Sequence, residues 1–149
     1  NTFINEEILE DIAINASKAA EKLLGFSQIA LLSFSTLASG EGDSVKMVRS
    51  VSESLNQKGI KVYGPIQGDA AVVNSIAKLK GINYEGDLNV FIFPSLDSGN
   101  IAYKLCQSLG GFKSLGPFLQ GFKKPVCDLS RGASTDDIIS SSVLTLASI

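Results

Sequence analysis

Histidine and tryptophan are absent from the 149-residue sequence, and cysteine is scarce. Without histidine the chain cannot build a Ser-His-Asp triad, a histidine metal site or an imidazole general base from its own residues. The two cysteines, Cys106 and Cys127, are widely separated and form no CxxC motif, so we expect no zinc or other metal site. A disulfide between them is an alternative, but we interpret both as free thiols in a reducing compartment. Any proton transfer by this chain must therefore use a carboxylate, a lysine, a thiol, a tyrosine or water.

The sequence also has no strong net charge and no long apolar run. The net charge is −2 and 44% of the residues are hydrophobic, which is typical of a soluble globular protein and favours neither nucleic acid nor a membrane as a partner. Apolar stretches such as IALL are too short to span a bilayer, and NTFINEE has no signal-peptide pattern. We therefore expect a cytoplasmic protein. Because a helical pattern follows Asn1 almost directly, we also expect the chain to be part of a longer protein.

Apolar residues predict an alternation of helices and strands along the chain. Their spacing predicts helices that begin near Ile8, Ser44, Ala70, Asp97 and Ser134. The apolar runs QIALLSFS, IKVYGPI and LNVFIFP predict buried strands, and KSLGPFLQG and KPVCDLS predict two short extended segments. This alternation is typical of a three-layer α/β fold with helices on both faces of a largely parallel sheet. In such folds ligands bind where strand ends meet helix starts.

The segment DLSRGASTDDI, residues 128–138, combines residues that suit anion chemistry. A preceding strand would deliver Ser130 and Arg131 to the edge of the sheet, and Gly132 would let the chain turn where a side chain would crowd it. Ser134 and Asp137 have the spacing of a capping box. An arginine beside helix N–H groups suits phosphate or an oxyanion, and a nearby carboxylate suits a base. Taken alone, the segment leaves each residue two interpretations: Asp137 as cap or base, Ser130 as turn or site residue, Arg131 as anion ligand or surface ion-pair partner.

Three other stretches place polar residues at predicted strand ends. In FPSLDSGNIAYKL a strand leads into Ser98, Gly99 and Asn100, which are candidates for substrate binding. We expect Asp97 or Ser98 to cap the following helix. In GPIQGDAA, helix capping is the preferred interpretation of Asp69. The loop FSTLASG lacks the lysine of a P-loop, so we do not interpret it as a nucleotide site.

In their order and spacing, LSFST, GPIQGDAA, NVFIFPSLDSGNIAYKL and GPFLQGFKKPVCDLSRGASTDDI resemble the phosphate acetyltransferases (phosphotransacetylases) of the phosphate acetyl/butyryl transferase family. The resemblance covers nearly the whole chain. It implies one lobe of a two-lobe α/β acyltransferase of about twice this length, with the active site between the lobes. Residues 1–121 would form most of the second lobe, and residues 122–149 would return to the first lobe.

The resemblance also implies a reaction, the reversible transfer of an acetyl group between acetyl phosphate and coenzyme A in a ternary complex. By motif position, Asp137 would deprotonate the coenzyme A thiol, Ser130 would hydrogen-bond at the reacting centre and Arg131 would help to bind phosphate. Substrate-binding residues would be Ser98, Gly99, Asn100 and Gly132. Coenzyme A and acetyl phosphate would be substrates, no cofactor would be tightly bound, and this lobe would mediate a homodimer.

Two features depart from the family pattern. Ala133 stands where the family usually has cysteine. The resemblance also implies that the family's other phosphate-binding arginines belong to the first lobe, and we expect Arg49, the other arginine of this chain, to face solvent. We therefore expect the chain alone to be close to inactive. Phosphate butyryltransferase is the nearest alternative, and a non-catalytic regulatory or dimerisation domain, such as some malic enzymes carry, is another. The serine, arginine and aspartate of SRGASTDD favour an enzyme, and ASTDDI directly after SRG favours the acetyl enzyme.

Overall fold

A computed structural model describes residues 2–148 of the chain. Helices and strands alternate as the apolar pattern predicts. The elements are α1 (Glu6–Leu24), β1 (Ile29–Leu32), α2 (Asp43–Gln57), β2 (Val62–Ile66), α3 (Gly68–Val72), α4 (Asn74–Leu79), β3 (Val90–Ile92), α5 (Leu96–Gly110), β4 (Phe118–Leu119), β5 (Val126–Cys127) and α6 (Thr135–Ala147).

The larger sheet contains three parallel strands in the order β2-β1-β3. β1 is central, since Ile29 pairs with Val62 on one side and with Val90 on the other. All four residues of β1 are buried, which explains why its sequence is continuously apolar rather than alternating. The prediction of an α/β fold with a largely parallel sheet is confirmed.

Helices cover both faces of this sheet. Ile29 and Leu31 of β1 point into one apolar core, which they share with α1 and α2. Ala30 and Leu32 point into a second core, which they share with α3 and α4. Because successive residues of a strand point to opposite faces, the four-residue strand contributes to both cores. The three predicted layers are therefore present.

Local signals set the ends of α1. The Asn5 side chain accepts a hydrogen bond from the Ile8 N–H at 2.8 Å, which satisfies a free donor of the first turn. At the other end Gly25 has a φ of 83°, in the left-handed region that glycine adopts without strain.

Two helix starts differ from the prediction. Ser95 is the N-cap of α5, and its Oγ accepts a hydrogen bond from the Ser98 N–H at 3.2 Å. The prediction that Asp97 or Ser98 caps this helix was wrong, because Asp97 lies in the first turn, where its charge favours the helix dipole. The helix predicted from Ala70 is divided, since Val73 is extended between α3 and α4.

The last third of the chain differs from the parallel sheet and its helices in strand direction and in burial. β4 and β5 form an antiparallel pair in which Phe118 lies opposite Cys127. In the structure of residues 2–148, α5 buries none of its side chains, and Ser141 alone is buried on α6. The boundary expected at Gly121 falls between these two strands, and the division of the chain there remains a prediction.

Cys106 and Cys127 are both free thiols in this structure, as we interpreted them from the sequence. Among the helices of residues 2–148, none combines the length and the apolar character that crossing a bilayer requires.

Close contact between β1 and β2 makes Gly64 a test of the fold. A Cβ at Gly64 would lie 2.7 Å from the Cβ and 2.9 Å from the carbonyl oxygen of Leu31, which is fully buried. We expect Gly64→Ala to lower the free energy of unfolding by about 1–3 kcal/mol, because the two strands would have to separate. Urea unfolding measures the change.

Gly68→Ala is the matched control, because a Cβ at Gly68 would meet no described atom within 4 Å. We expect its effect to stay within about 0.5 kcal/mol. Equal effects of the two substitutions would contradict the close packing of β1 on β2.

Candidate active site

Four segments of the last third of the chain surround a cleft of about 450 Å³. α5 contributes Tyr103 and Gln107, and α6 contributes Asp137 and Ser141. In each pair the residues are four positions apart, so they lie on one face of their helix. The segment before β4 and the turn after β5 form the rest of the cleft wall.

Three of the predicted site residues line this cleft, namely Ser130, Gly132 and Asp137. The Ser130 carbonyl accepts a hydrogen bond from the Ala133 N–H at 3.0 Å, which closes the turn between β5 and α6. Arg131 is exposed in this turn and, in the structure of residues 2–148, lies outside the cleft lining. The turn therefore brings Ser130 and Asp137 to one cleft, while their roles remain predictions.

The physical reason predicted for Gly132 was wrong. A Cβ built at Gly132 meets no atom of the described residues within 4 Å, so within this chain a side chain would not be crowded there.

Asp137 caps the last helix, as its spacing from Ser134 predicts. The Ser134 hydroxyl accepts a hydrogen bond from the Asp137 N–H at 3.2 Å. In return, the Ser134 N–H and hydroxyl both donate to Asp137 Oδ2, at 2.9 and 2.8 Å. This is a capping box with aspartate in the place of glutamate. Within residues 2–148 the hydrogen bonds that the Asp137 side chain accepts both go to Oδ2, so Oδ1 is left for other partners.

These bonds also affect the acidity of the Asp137 carboxyl group. The hydrogen bonds from the Ser134 N–H and from its hydroxyl lower the pKa of Asp137, and the positive charge of Lys113 acts in the same direction. Lys113 also donates from Nζ to the Ser140 hydroxyl at 3.2 Å, which holds the chain after α5 against α6. At neutral pH Asp137 is thus an anion that faces the cleft from a partly buried position.

The other predicted substrate-binding residues lie at the start of α5. The Ser98 hydroxyl donates to the Ser95 carbonyl at 2.9 Å, so it completes the first turn of the helix. Gly99 lies against Phe93, and Asn100 is exposed. Within residues 2–148 these three residues lie outside the cleft lining, and Tyr103 and Gln107 of the same helix line it instead. The sequence contained one signal for Tyr103 and Gln107: they are four residues apart on a predicted helix and therefore lie on the same face of it.

Polar residues also meet where β1 and β2 end. Lys80 Nζ donates to both carboxylate oxygens of Asp69 at 2.7 Å and to Gln67 Oε1 at 3.0 Å. The buried Thr36 hydroxyl donates to the same Gln67 oxygen at 3.0 Å. Asp69 also accepts from the Ala70 N–H at 2.7 Å, within the first turn of α3. The network joins the loop after β1 to α3 and to the end of α4, which supports a structural role for Asp69. The prediction that Asp69 caps the helix was wrong, because Gln67 is the N-cap of α3 and Asp69 lies in its first turn.

Arg49 was expected to face solvent, and this prediction was wrong. Its side chain is partly buried, and Nη2 donates to the Leu37 carbonyl at 2.9 Å. Leu37 has a φ of 52°, a left-handed conformation that is uncommon for leucine. Its N–H donates to the Pro65 carbonyl at 2.9 Å, so both polar backbone groups of this strained residue are satisfied. Arg49 thus stabilises the loop after β1.

The sequence and fold of the chain were compared with those of known proteins. The model of the family described as phosphate acetyl/butaryl transferase matches residues 5–146. The chain belongs to this family.

The phosphate acetyltransferase of Staphylococcus epidermidis is 40% identical to the chain over 99% of its residues. A phosphotransacetylase structure from Streptococcus pyogenes has a TM-score of 0.88 at 40% identity, and a branched-chain phosphotransacylase from Enterococcus faecalis has a TM-score of 0.83 at 28% identity. Each of these two matches covers 99% of the chain described here. The chain in turn spans 47% of the S. epidermidis protein and 46% and 56% of the two solved chains, which is about half their length.

The ion pair between Lys80 and Asp69 predicts a pH-dependent effect on stability. The hydrogen bond from Lys80, together with that from the Ala70 N–H, lowers the pKa of Asp69. A lowered pKa in the folded state stabilises the fold above the unfolded-state pKa, and this contribution is lost as pH falls through the folded-state pKa. We expect Lys80→Met to raise the pKa of Asp69 and to destabilise the fold at neutral pH more than at acidic pH. NMR titration of the carboxylate and urea unfolding across pH measure the two effects.

Lys78→Met removes a neighbouring positive charge on the exposed side of α4 and serves as the control. If both variants shift the Asp69 titration equally, the effect is one of net charge and the specific pair is refuted.

Proposed function

We propose that the chain supplies one lobe of an enzyme that reversibly transfers an acetyl group between acetyl phosphate and coenzyme A. The proposal rests on one observation above others: Ser130 and Asp137, the residues that the family motif marks, line a single cleft. The names of the relatives that match 99% of the chain, phosphate acetyltransferase and phosphotransacetylase, support it.

In this proposal Asp137 is the general base. It takes the proton of the coenzyme A thiol, and the thiolate sulfur attacks the carbonyl carbon of acetyl phosphate. A C–S bond forms, the C–O bond to phosphate breaks, and phosphate leaves without an acyl-enzyme. A thiol with a pKa of about 8.5 needs only a modest base, so a carboxylate suffices in a chain that has no histidine. Asp137 is ionised at neutral pH, and its hydrogen bonds to Ser134 lower its pKa further.

The neighbouring residues bind and stabilise charge. Ser130 hydrogen-bonds at the reacting centre, where one good donor to a developing oxyanion contributes about 3 kcal/mol. Arg131, exposed in the same turn, helps to bind phosphate through its planar donor groups. The remaining substrate contacts come from Gly132 and from the start of α5, at Ser98, Gly99 and Asn100.

A first lobe completes the site in this proposal. Residues 1–121 form most of the second lobe, residues 122–149 return to the first, and the first lobe contributes the other phosphate-binding arginines. We therefore expect the 149-residue chain alone to be close to inactive. The complete enzyme is a cytoplasmic protein that uses coenzyme A and acetyl phosphate as substrates, with no tightly bound cofactor and no nucleic-acid or membrane partner.

Two other functions make different predictions. A phosphate butyryltransferase would prefer butyryl phosphate, but the relatives named for acetyl transfer are 40% identical, against 28% for the branched-chain phosphotransacylase. A regulatory domain would transfer no acyl group.

An assay of acetyl-CoA formation tests the proposal. The N-terminal half of the S. epidermidis relative, fused ahead of residues 1–149, gives a full-length protein that we call the extended chain. We expect it to form acetyl-CoA from acetyl phosphate and coenzyme A, faster than it forms butyryl-CoA from butyryl phosphate. Asp137→Asn removes the base and should lower kcat by about 10²–10⁴-fold.

Asp136→Asn is the matched control, since it removes the adjacent, exposed carboxylate of the same helix turn. It should retain nearly all activity. Full activity of Asp137→Asn would refute the assignment of the base, and a preference for butyryl phosphate would favour the alternative enzyme. No acyl transfer by the extended chain would favour the regulatory domain.

We also propose that this lobe forms the homodimer contact, through the outer face of α5. Ile101, Leu105 and Leu109 recur every four residues, so they form one stripe, and their side chains are 58%, 52% and 83% exposed. Tyr103 and Gln107 lie on the other side of the helix, toward the cleft. A stripe of this kind is typical of a surface that a partner covers.

Light scattering on the chain tests the dimer. We expect the mass of two chains, and we expect Leu105→Asp to give one chain because a charge would be buried in the contact. Lys18→Asp, at an exposed position of α1 outside the proposed contact, introduces the same residue and should leave the dimer intact. A wild-type monomer at high concentration would contradict the proposal.

A further inference from the structure

The hydrogen bonds around Asp137 assign a function to a neighbour that the motif does not mark. We propose that Ser134 is a positioning residue for Asp137: its N–H and hydroxyl hold Oδ2 of the carboxylate and leave Oδ1 presented to the cleft. This inference rests on the proposed function, in which Asp137 is the base.

The geometry around Oδ2 carries the inference. Two donors of one residue, the Ser134 N–H at 2.9 Å and its hydroxyl at 2.8 Å, converge on this single oxygen. The hydroxyl is itself oriented, because it accepts from the Asp137 N–H at 3.2 Å while donating its only proton to Oδ2. The carboxylate is therefore held against the backbone of its own helix start, and it cannot rotate without breaking two bonds.

The two hydrogen bonds to Oδ2 determine which oxygen of Asp137 can accept a proton. With Oδ2 occupied by two donors, Oδ1 is the oxygen left to take a thiol proton, on a side chain that lines the cleft. Fixing the base in this way removes rotamer freedom before the reaction, and misplacing a reacting group by about 1 Å can lower a rate about a hundredfold. The bonds that cap α6 therefore also orient the base.

Four titratable or charged groups lie on the elements around this carboxylate. Lys113 approaches from the segment after α5, and its charge adds to the effect of Ser134 in lowering the pKa of Asp137. Tyr103 lines the cleft from α5, Arg131 lies in the turn before α6, and Asp136 precedes Asp137 on α6. None of these four is changed by a substitution at Ser134, so the effect of the serine can be measured separately.

Three substitutions at position 134 separate positioning from helix capping. Ser134→Ala removes the hydroxyl and the cap, whereas Ser134→Gly removes the hydroxyl but remains an acceptable N-cap. Ser134→Thr keeps a hydroxyl that can donate to Oδ2. Ser142→Ala is the control, because it removes an exposed serine hydroxyl of the same helix that bonds only the Ile138 carbonyl among the described residues.

The readouts are kcat against pH in the extended chain and the titration of Asp137 by NMR in the 149-residue chain. We expect Ser134→Ala and Ser134→Gly to lower kcat about tenfold to a hundredfold and to move the acid limb of the profile to higher pH. The same two variants should raise the pKa of Asp137, because a donor to its charged form is lost. Ser134→Thr and Ser142→Ala should behave as the unsubstituted protein.

A purely structural role gives another pattern. If Ser134→Gly keeps the wild-type kcat, acid limb and Asp137 titration while Ser134→Ala only melts at lower temperature, Ser134 is a helix cap and the inference is overturned. If Asp137→Asn is also tested and is fully active, or if the extended chain transfers no acyl group, the proposed function fails and this inference fails with it.

Discussion

Burial of β1 on both faces is the constraint on which the fold depends. The strand pairs with β2 and β3, and its four side chains are divided between two apolar cores. A parallel strand in this position needs a helical layer on each side, because neither face can be left to water. Close approach of β2 to Leu31, at Gly64, tightens this arrangement. The loops that follow β1 and β3 leave this rigid centre at the same edge of the sheet.

The candidate site depends on a different kind of interaction. The cleft lies between α5 and α6, which bury almost nothing within residues 2–148, so apolar packing in this chain does little to shape it. Hydrogen bonds at helix and turn ends act instead: Ser134 holds Asp137, and the Ser141 hydroxyl accepts from the Gly116 N–H at 3.4 Å. Such bonds fix local geometry precisely but contribute little to global stability. In the two-lobe dimer that we propose, other polypeptide would complete the cleft and cover the outer face of α5.

Much of the fold could be predicted from the sequence because its signals are local and strong. IALL is continuously apolar, which indicates a strand buried on both faces, and Ser134 with Asp137 has the spacing of a capping box. The prediction was wrong where one polar residue competes with another. Ser95, Asp97 and Ser98 are all acceptable N-caps, and sequence spacing alone does not show that the helix begins early enough for Ser95 to accept from the Ser98 N–H. Arg49 was predicted to face solvent because its hydrogen-bond partner could not be identified from the sequence. That partner is the carbonyl of Leu37, and no local sequence pattern indicates the left-handed conformation of this residue.

The central claim is that Asp137 receives the thiol proton of coenzyme A through Oδ1, and a crystal structure of the extended chain with coenzyme A tests it most directly. The distance to measure joins the coenzyme A sulfur to Asp137 Oδ1. The account predicts a hydrogen-bond distance of about 3.2 Å, with Ser134 still bonded to Oδ2 and Ser130 beside the sulfur. A sulfur bound elsewhere, with Asp137 contacting only Ser134, would show that the carboxylate is a helix cap and that the base is another residue.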